Sequence, residues 1–277
     1  MRGGRARVAV AAVLLAALAA TGCGGGSDDD SNSGPPKPRE SLRSVVDDYR
    51  KAAEEQDCRL FARFEHSVLR PAGKSADDPP DERECAILFE SLRRLQGVVP
   101  GRVKEFGTAG LVEAKVQGRD VALLWVLDVD RRWKQVQAAP DGPPGQLAAR
   151  RRPNERFAQN AAAWVAAERA GDCRKVFRLF HPTSPFVTQD EGDRRRFCDR
   201  FERGRRMKSS LPSQLSRDPA AKAVDLGGTH DFHFFGIETR AGGYWTVLMA
   251  ALPGEIPRTG HADQSVLDYY PSRRAPG

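Results

Sequence analysis

No stretch of this chain is long and apolar enough to span a bilayer. Its most hydrophobic segment, residues 8–20, holds only thirteen small or apolar residues, whereas a membrane-spanning helix needs about 20. Signatures of common catalysis are also missing: there is no P-loop, GxGxxG, GxSxG or HExxH. No CxxC pair exists to begin a thiolate metal site. Histidine is scarce, at five residues, which leaves few candidates for acid–base work. The arginine clusters, such as Arg194-Arg195-Arg196 and Arg203-Gly204-Arg205-Arg206, lack interleaved aromatics and read as solvated faces. Nucleic acid is therefore not an expected partner, and neither a metal nor a cofactor is expected. The formal charge of +7 includes Arg2, Arg5 and Arg7 near the start of the chain. Without them a modest positive excess remains, which suits solubility and weak attraction to anionic surfaces.

Those three arginines precede the apolar stretch as the positive region of an export leader. Ala20-Thr21-Gly22-Cys23 follows, then a polar run of Gly, Ser and Asp. This segment resembles the lipobox of bacterial lipoproteins, although Ala20 stands where that family usually carries Leu. The resemblance implies cleavage before Cys23, lipidation of Cys23 (palmitate among its acyl chains) and attachment to the outer face of the cytoplasmic membrane. Two acyl chains give stable anchoring where one gives marginal binding. Residues 24–38, rich in Gly, Ser, Asp and Pro, read as a flexible tether with nothing to bury.

The rest of the chain repeats itself. A helix, an Asp-Cys pair and a second helix occur twice: Cys58 and Cys173 lie 115 positions apart, and so do His66 and His181. A further cysteine follows each pair on a charged helix, Cys85 in the first copy and Cys198 in the second. Leu42, Val45, Val46, Tyr49, Ala52 and Ala53 fall at helical spacing on one stripe. Phe157, Ala161, Trp164 and Val165 do the same in the second copy. Asp57 and Asp172 are placed to cap the helices that follow them. Alternating or continuous apolar runs then predict strands near residues 112–116, 121–127 and 133–136. In the second copy they fall at 222–226, 230–239 and 244–252. Trp133 and Trp245 are nearly matched in the repeat register, at a separation of 112.

The boundaries follow. Residues 1–22 form the leader, 23–38 the tether and 39–139 the first domain. Residues 140–153 form a Pro/Gly/Arg linker, 154–256 the second domain and 257–277 a polar C-terminal tail. Leu267, Tyr269 and Tyr270 make a possible docking segment within that tail. Four cysteines allow three pairings. The repeat selects Cys58–Cys85 and Cys173–Cys198, because a duplicated unit carries its own staple, and an exported protein keeps disulfides.

Three helices followed by a meander of strands with a late Trp resemble the nuclear transport factor 2-like fold, which includes the SnoaL-like and ketosteroid-isomerase-like proteins. The resemblance implies an α+β chain of two tandem cone-like domains. Each would pack three N-terminal helices on a curved antiparallel sheet around a partly hollow interior. Such domains dimerise through their sheets, implying a pseudo-dimer within one chain or a homodimer.

Candidate pocket residues are His66, Trp125, Trp164, His181, Asp231 and His233. Asp231 and His233 share one face of a strand and suit acid–base chemistry, while His230 points the other way. With no catalytic constellation in view, the expectation is a non-enzymatic binding module, membrane-anchored, for a hydrophobic small molecule, lipid or envelope partner. The alternatives are a structural interaction module of the envelope and an enzyme of the ketosteroid-isomerase or SnoaL type.

Overall fold

The computed structural model describes residues 34–65, 78–138, 156–181, 184, 191–229, 231–251 and 264–274. Cys23, His66, His230 and the linker lie outside them. In the first domain, α1 (Leu42–Glu55) starts at Ser41, whose hydroxyl accepts from the Ser44 amide. Its six expected stripe residues are all buried. Asp57 caps α2 (Cys58–Ala62) by accepting from the Arg59 and Leu60 amides. A reciprocal capping box of Asp81 and Glu84 opens α3 (Glu82–Leu95), satisfying two otherwise orphaned amides. The disulfide Cys58–Cys85 ties α2 to α3. Four strands follow, β1 (Val99–Phe106), β2 (Ala109–Val116), β3 (Arg119–Leu127) and β4 (Trp133–Ala138). They form an antiparallel meander in chain order.

The second domain repeats the plan with one addition. Helix α4 (Arg156–Ala170) leads to α5 (Cys173–Leu179), capped by Asp172, then to α6 (Glu191–Arg206). Disulfide Cys173–Cys198 joins α5 to α6. A fourth helix, α7 (Leu211–Arg217), starts at Ser210 with Pro212 in its first turn, where the missing amide costs nothing. Strands β5 (Ala223–Gly228), β6 (Phe232–Glu238), β7 (Tyr244–Ala251) and β8 (Gln264–Arg273) complete a second four-stranded meander. Residues 264–273, part of the segment read as a polar tail, thus form the edge strand of this sheet. Leu267 and Tyr270 are buried in it.

The two sheets pack against each other. Ala109, Leu111, Ala122, Leu124 and Val126 from the first form one buried cluster with Phe232, Phe234, Leu248, Ala250, Leu267 and Tyr270 from the second. The helices cover the outer faces, giving four layers: helices, sheet, sheet, helices. Two similar domains thus form an intramolecular pseudo-dimer. The β1–β2 turn also interlocks with strand β5, since Phe106 closes over Gly227 and Leu226 over Gly107. Both glycines have positive φ, 107° and 61°, a region side chains rarely adopt.

This packing overturns the cone. Each sheet is flat and open, not curled or closed around an interior, so the resemblance to the nuclear transport factor 2-like, SnoaL-like fold does not hold. The physical reason is written in β3. Leu123, Trp125 and Leu127 enter the helix-side core, while Ala122, Leu124 and Val126 enter the inter-sheet core. A strand buried on both faces reads as a continuous apolar run, and a sheet covered on both faces has no concave side left to enclose. Small and aliphatic side chains on the inner face suit face-to-face packing at a spacing of about 10 Å. Nor do Trp133 and Trp245 match: the first opens β4, the fourth strand of its sheet, and the second lies on β7, a third strand.

The last residues before the first domain are also placed. Gly34 donates its amide to Glu238 and its carbonyl accepts from Arg273 (3.3 and 3.1 Å). Arg39 donates its amide to the Arg131 carbonyl at 3.0 Å. The segment entering the first domain therefore runs past the second.

Candidate functional site

Buried polar groups without protein partners are rare in folded chains and call for an explanation. The helix-side core of the second domain holds two such atoms side by side along α4. Glu168, 1% exposed, has Oε2 without a hydrogen-bond partner among the described residues, and so does the Trp164 indole Nε1. Four residues apart, they lie on one helix face. The Tyr269 ring stands 5.6 Å from Trp164 and 6.0 Å from Trp245, and the Phe180 ring is 6.4 Å from Trp164. Burial pushes the Glu168 carboxyl up to about 8, only partly opposed by the Arg205 guanidinium. Arg205 itself donates to the Glu168 backbone carbonyl at 2.6 Å. At neutral pH the group is thus a protonated acid, able to donate or accept. Burial also raises the Tyr269 phenol, and the nearby Glu168 adds to that.

Of the residues picked out by the sequence, Trp164 belongs to this cluster. His181 lies nearby on the segment after α5. Its amide donates to the Val266 carbonyl at 2.6 Å, next to the bridge between Phe180 and Val266, and its side chain is buried. Trp125 sits in the other domain, packed edge-on against Tyr49 (5.1 Å) and Phe64 (6.3 Å). The Trp125 Nε1 and Tyr49 hydroxyl have no partner among the described residues. Burial raises the Tyr49 phenol, with Glu65 adding to the effect.

His233 faces the helix-side core near the start of α4, stacked on Phe157 at 5.2 Å. Its Nε2 lies 2.7 Å from Asp225 Oδ1 on the neighbouring strand, a carboxylate that sequence reasoning did not single out. Asp225 lies opposite Phe235, on the sheet face that His233 shares, beside a register irregularity between Asp225 and Gly227; an apolar periodicity carries no trace of this cross-strand pairing. Asp231 is half-buried, and its backbone carbonyl accepts from the Ala251 amide. Phe157 and Glu168 are eleven residues apart on α4, about 16 Å of helix, so His233 and Glu168 belong to opposite ends of this core. Among the described residues no cluster of His, Cys, Asp or Glu could hold a metal ion, and no helix is long and apolar enough to cross a membrane.

A second polar feature crosses the domain interface. Thr108, Thr246 and Ser272 form a chain of buried hydroxyls, with both links at 2.7 Å. Beside it Tyr270 donates to Asp268 at 2.5 Å, and burial lifts the Asp268 carboxyl to about 7. These groups satisfy one another. They link the two sheets and have the character of structure, unlike Glu168 Oε2 and Trp164 Nε1, which have no partner among the described residues.

Fold and site together define a two-domain α+β protein of four layers, with an acid set among aromatics in one of its two outer cores. No family model matches the chain, and no curated protein or solved structure matches it either.

Proposed function

We propose that this protein is an extracytoplasmic lipoprotein, held to the bacterial membrane through Cys23, that binds a hydrophobic small molecule non-enzymatically in its second domain. The observation that carries the binding site is a pair of buried polar atoms among aromatic rings, Glu168 Oε2 and Trp164 Nε1, with no partner among the described residues. A protein gains no stability from leaving such atoms unmade. A ligand that is mostly apolar and carries one hydrogen-bonding group would satisfy them. Anchoring is supported by the leader and lipobox-like segment ending at Cys23.

The test is extraction of the purified full chain with organic solvent, followed by mass spectrometry, for the wild type and for Glu168→Met. A small molecule recovered at near-stoichiometric yield from the wild type and lost from the variant is the expected result. If neither protein yields one, or both yield the same, the binding reading fails. Metabolic labelling with a fatty acid, set against Cys23→Ser, checks the anchor separately.

A further inference from the structure

We infer that one end of the second domain is a docking surface for an anionic lipid bilayer, an inference that rests on the anchored reading above. The end is defined by a continuous set of contacts. Arg217 on α7 donates to the Lys208 carbonyl (3.2 Å). The next residue, Asp218, accepts from the Arg240 amide at the β6–β7 turn (2.6 Å). Arg273, at the end of β8, donates to the Gly242 carbonyl of the same turn and to the Gly34 carbonyl.

The charges gathered there are predominantly positive. Arg206, Lys208, Arg217, Arg240 and Arg274 are exposed, and Arg273 is half-buried beside them. The carboxylates linked to this set are two. Asp218 is buried and engaged with Arg240 and with the Ala220 and Ala221 amides, and Glu238 is paired with Arg273. Among the described residues of this set, six cations against two carboxylates leave four positive charges, while Asp28, Asp29 and Asp30 precede Gly34 in the sequence. Met207, between Arg206 and Lys208 in the chain, is 38% exposed, an apolar side chain flanked by cations, as interfacial segments carry.

The route of the chain supplies the orientation. Gly34 is fixed at this same end, between Glu238 and Arg273, and it lies only eleven residues after Cys23. Even fully extended, eleven residues span no more than about 40 Å. A lipid on Cys23 therefore tethers this end within about 40 Å of the bilayer. Anionic headgroups attract basic residues within about a Debye length, roughly 8 Å at physiological salt.

The test uses the chain from Gly24 onward, which carries both domains, both disulfides and no acyl site. It is sedimented with vesicles of phosphatidylcholine alone or of phosphatidylcholine with 30 mol% phosphatidylglycerol, the latter about a third anionic as in an acidic leaflet. Binding to the anionic vesicles only, lost in about 1 M salt, is the expected result. The triple variant Arg206→Glu, Lys208→Glu, Arg274→Glu changes exposed side chains only, and should weaken binding by about tenfold or more while melting like the wild type. Equal binding to both vesicles, no binding to either, or unchanged binding by the variant overturns the inference. Acylation of Cys23 in the full chain is read independently by mass spectrometry. An acylated protein with no vesicle preference refutes the surface alone, and an unacylated one refutes the anchor alone.

Discussion

Glu168 occupies the helix position that Ala53 holds in the first domain, 115 residues earlier, and both are fully buried. The duplicated unit tolerates a small apolar residue there, so the acid is not demanded by the fold. Replacing Glu168 by Met, which keeps the volume and removes the unpaired oxygen, is expected to stabilise the protein by about 1–3 kcal/mol. Urea denaturation of ligand-stripped protein measures it. A variant less stable than the wild type would mean that the carboxyl is a structural member of the core.

Protonation gives a second measure of the same residue. The folded chain holds Glu168 near 8 against an ordinary 4.5, and Asp268 near 7 against 3.8. Between about pH 4 and pH 8 the native state therefore keeps protons that the unfolded chain has released. Stability from these groups is greatest below pH 4, declines as pH rises through that window and levels off above about 8. One proton corresponds to about 1.4 kcal/mol per pH unit. Denaturation midpoints taken across the window should fall more gently in Glu168→Gln, and also in Asp268→Asn up to about pH 7. A wild type and Glu168→Gln that run parallel would show the acid to be ionised in the native state.

Each disulfide closes a short loop, with sequence separations of 27 and 25. On chain entropy each stabilises by about 3.5 kcal/mol. Replacing Cys173 and Cys198 together by Ala should lower stability by about 2–5 kcal/mol and release the α5–α6 pair, seen as faster amide exchange there than in α4. Exchange that accelerates uniformly across the domain would argue that the bond supports the whole core rather than this one pair.

Much of the local structure is legible in the residues. The stripe from Leu42 to Ala53 is buried as its spacing requires, Asp57 and Asp172 cap their helices, and the repeat alone selects both disulfides. Two strands are not legible, for one reason. Strand β1 is an edge strand, with Lys104, Glu105 and an exposed Val99, and β8 carries Asp268 and Arg273. Neither shows an alternation clean enough to stand out from a loop. Sheet shape is not legible in the sequence, because element order does not encode curvature. The run from Val121 to Leu127 did encode burial on both faces, which was the available clue to a flat sheet inside a sandwich. Trp164 was visible as an aromatic on a helix stripe. Glu168 was hidden, because a charged residue near the end of an amphipathic helix ordinarily faces water.

The face-to-face seam is what makes two domains one folding unit. Leu124 lies fully buried in that seam and outside both helix-side cores. Truncation to Ala should cost about 2–5 kcal/mol, the usual range for a buried leucine. An aspartate at the same site puts an unpaired charge between two apolar faces, which neither domain's own core needs to accommodate. The domains would then part, and calorimetry should show one unfolding transition for the wild type and two for Leu124→Asp. Each half keeps its own disulfide and helix-side core, so the second domain should still respond to Glu168→Met as it does in the wild type. A single, merely lowered transition in Leu124→Asp would show that the halves cannot stand apart.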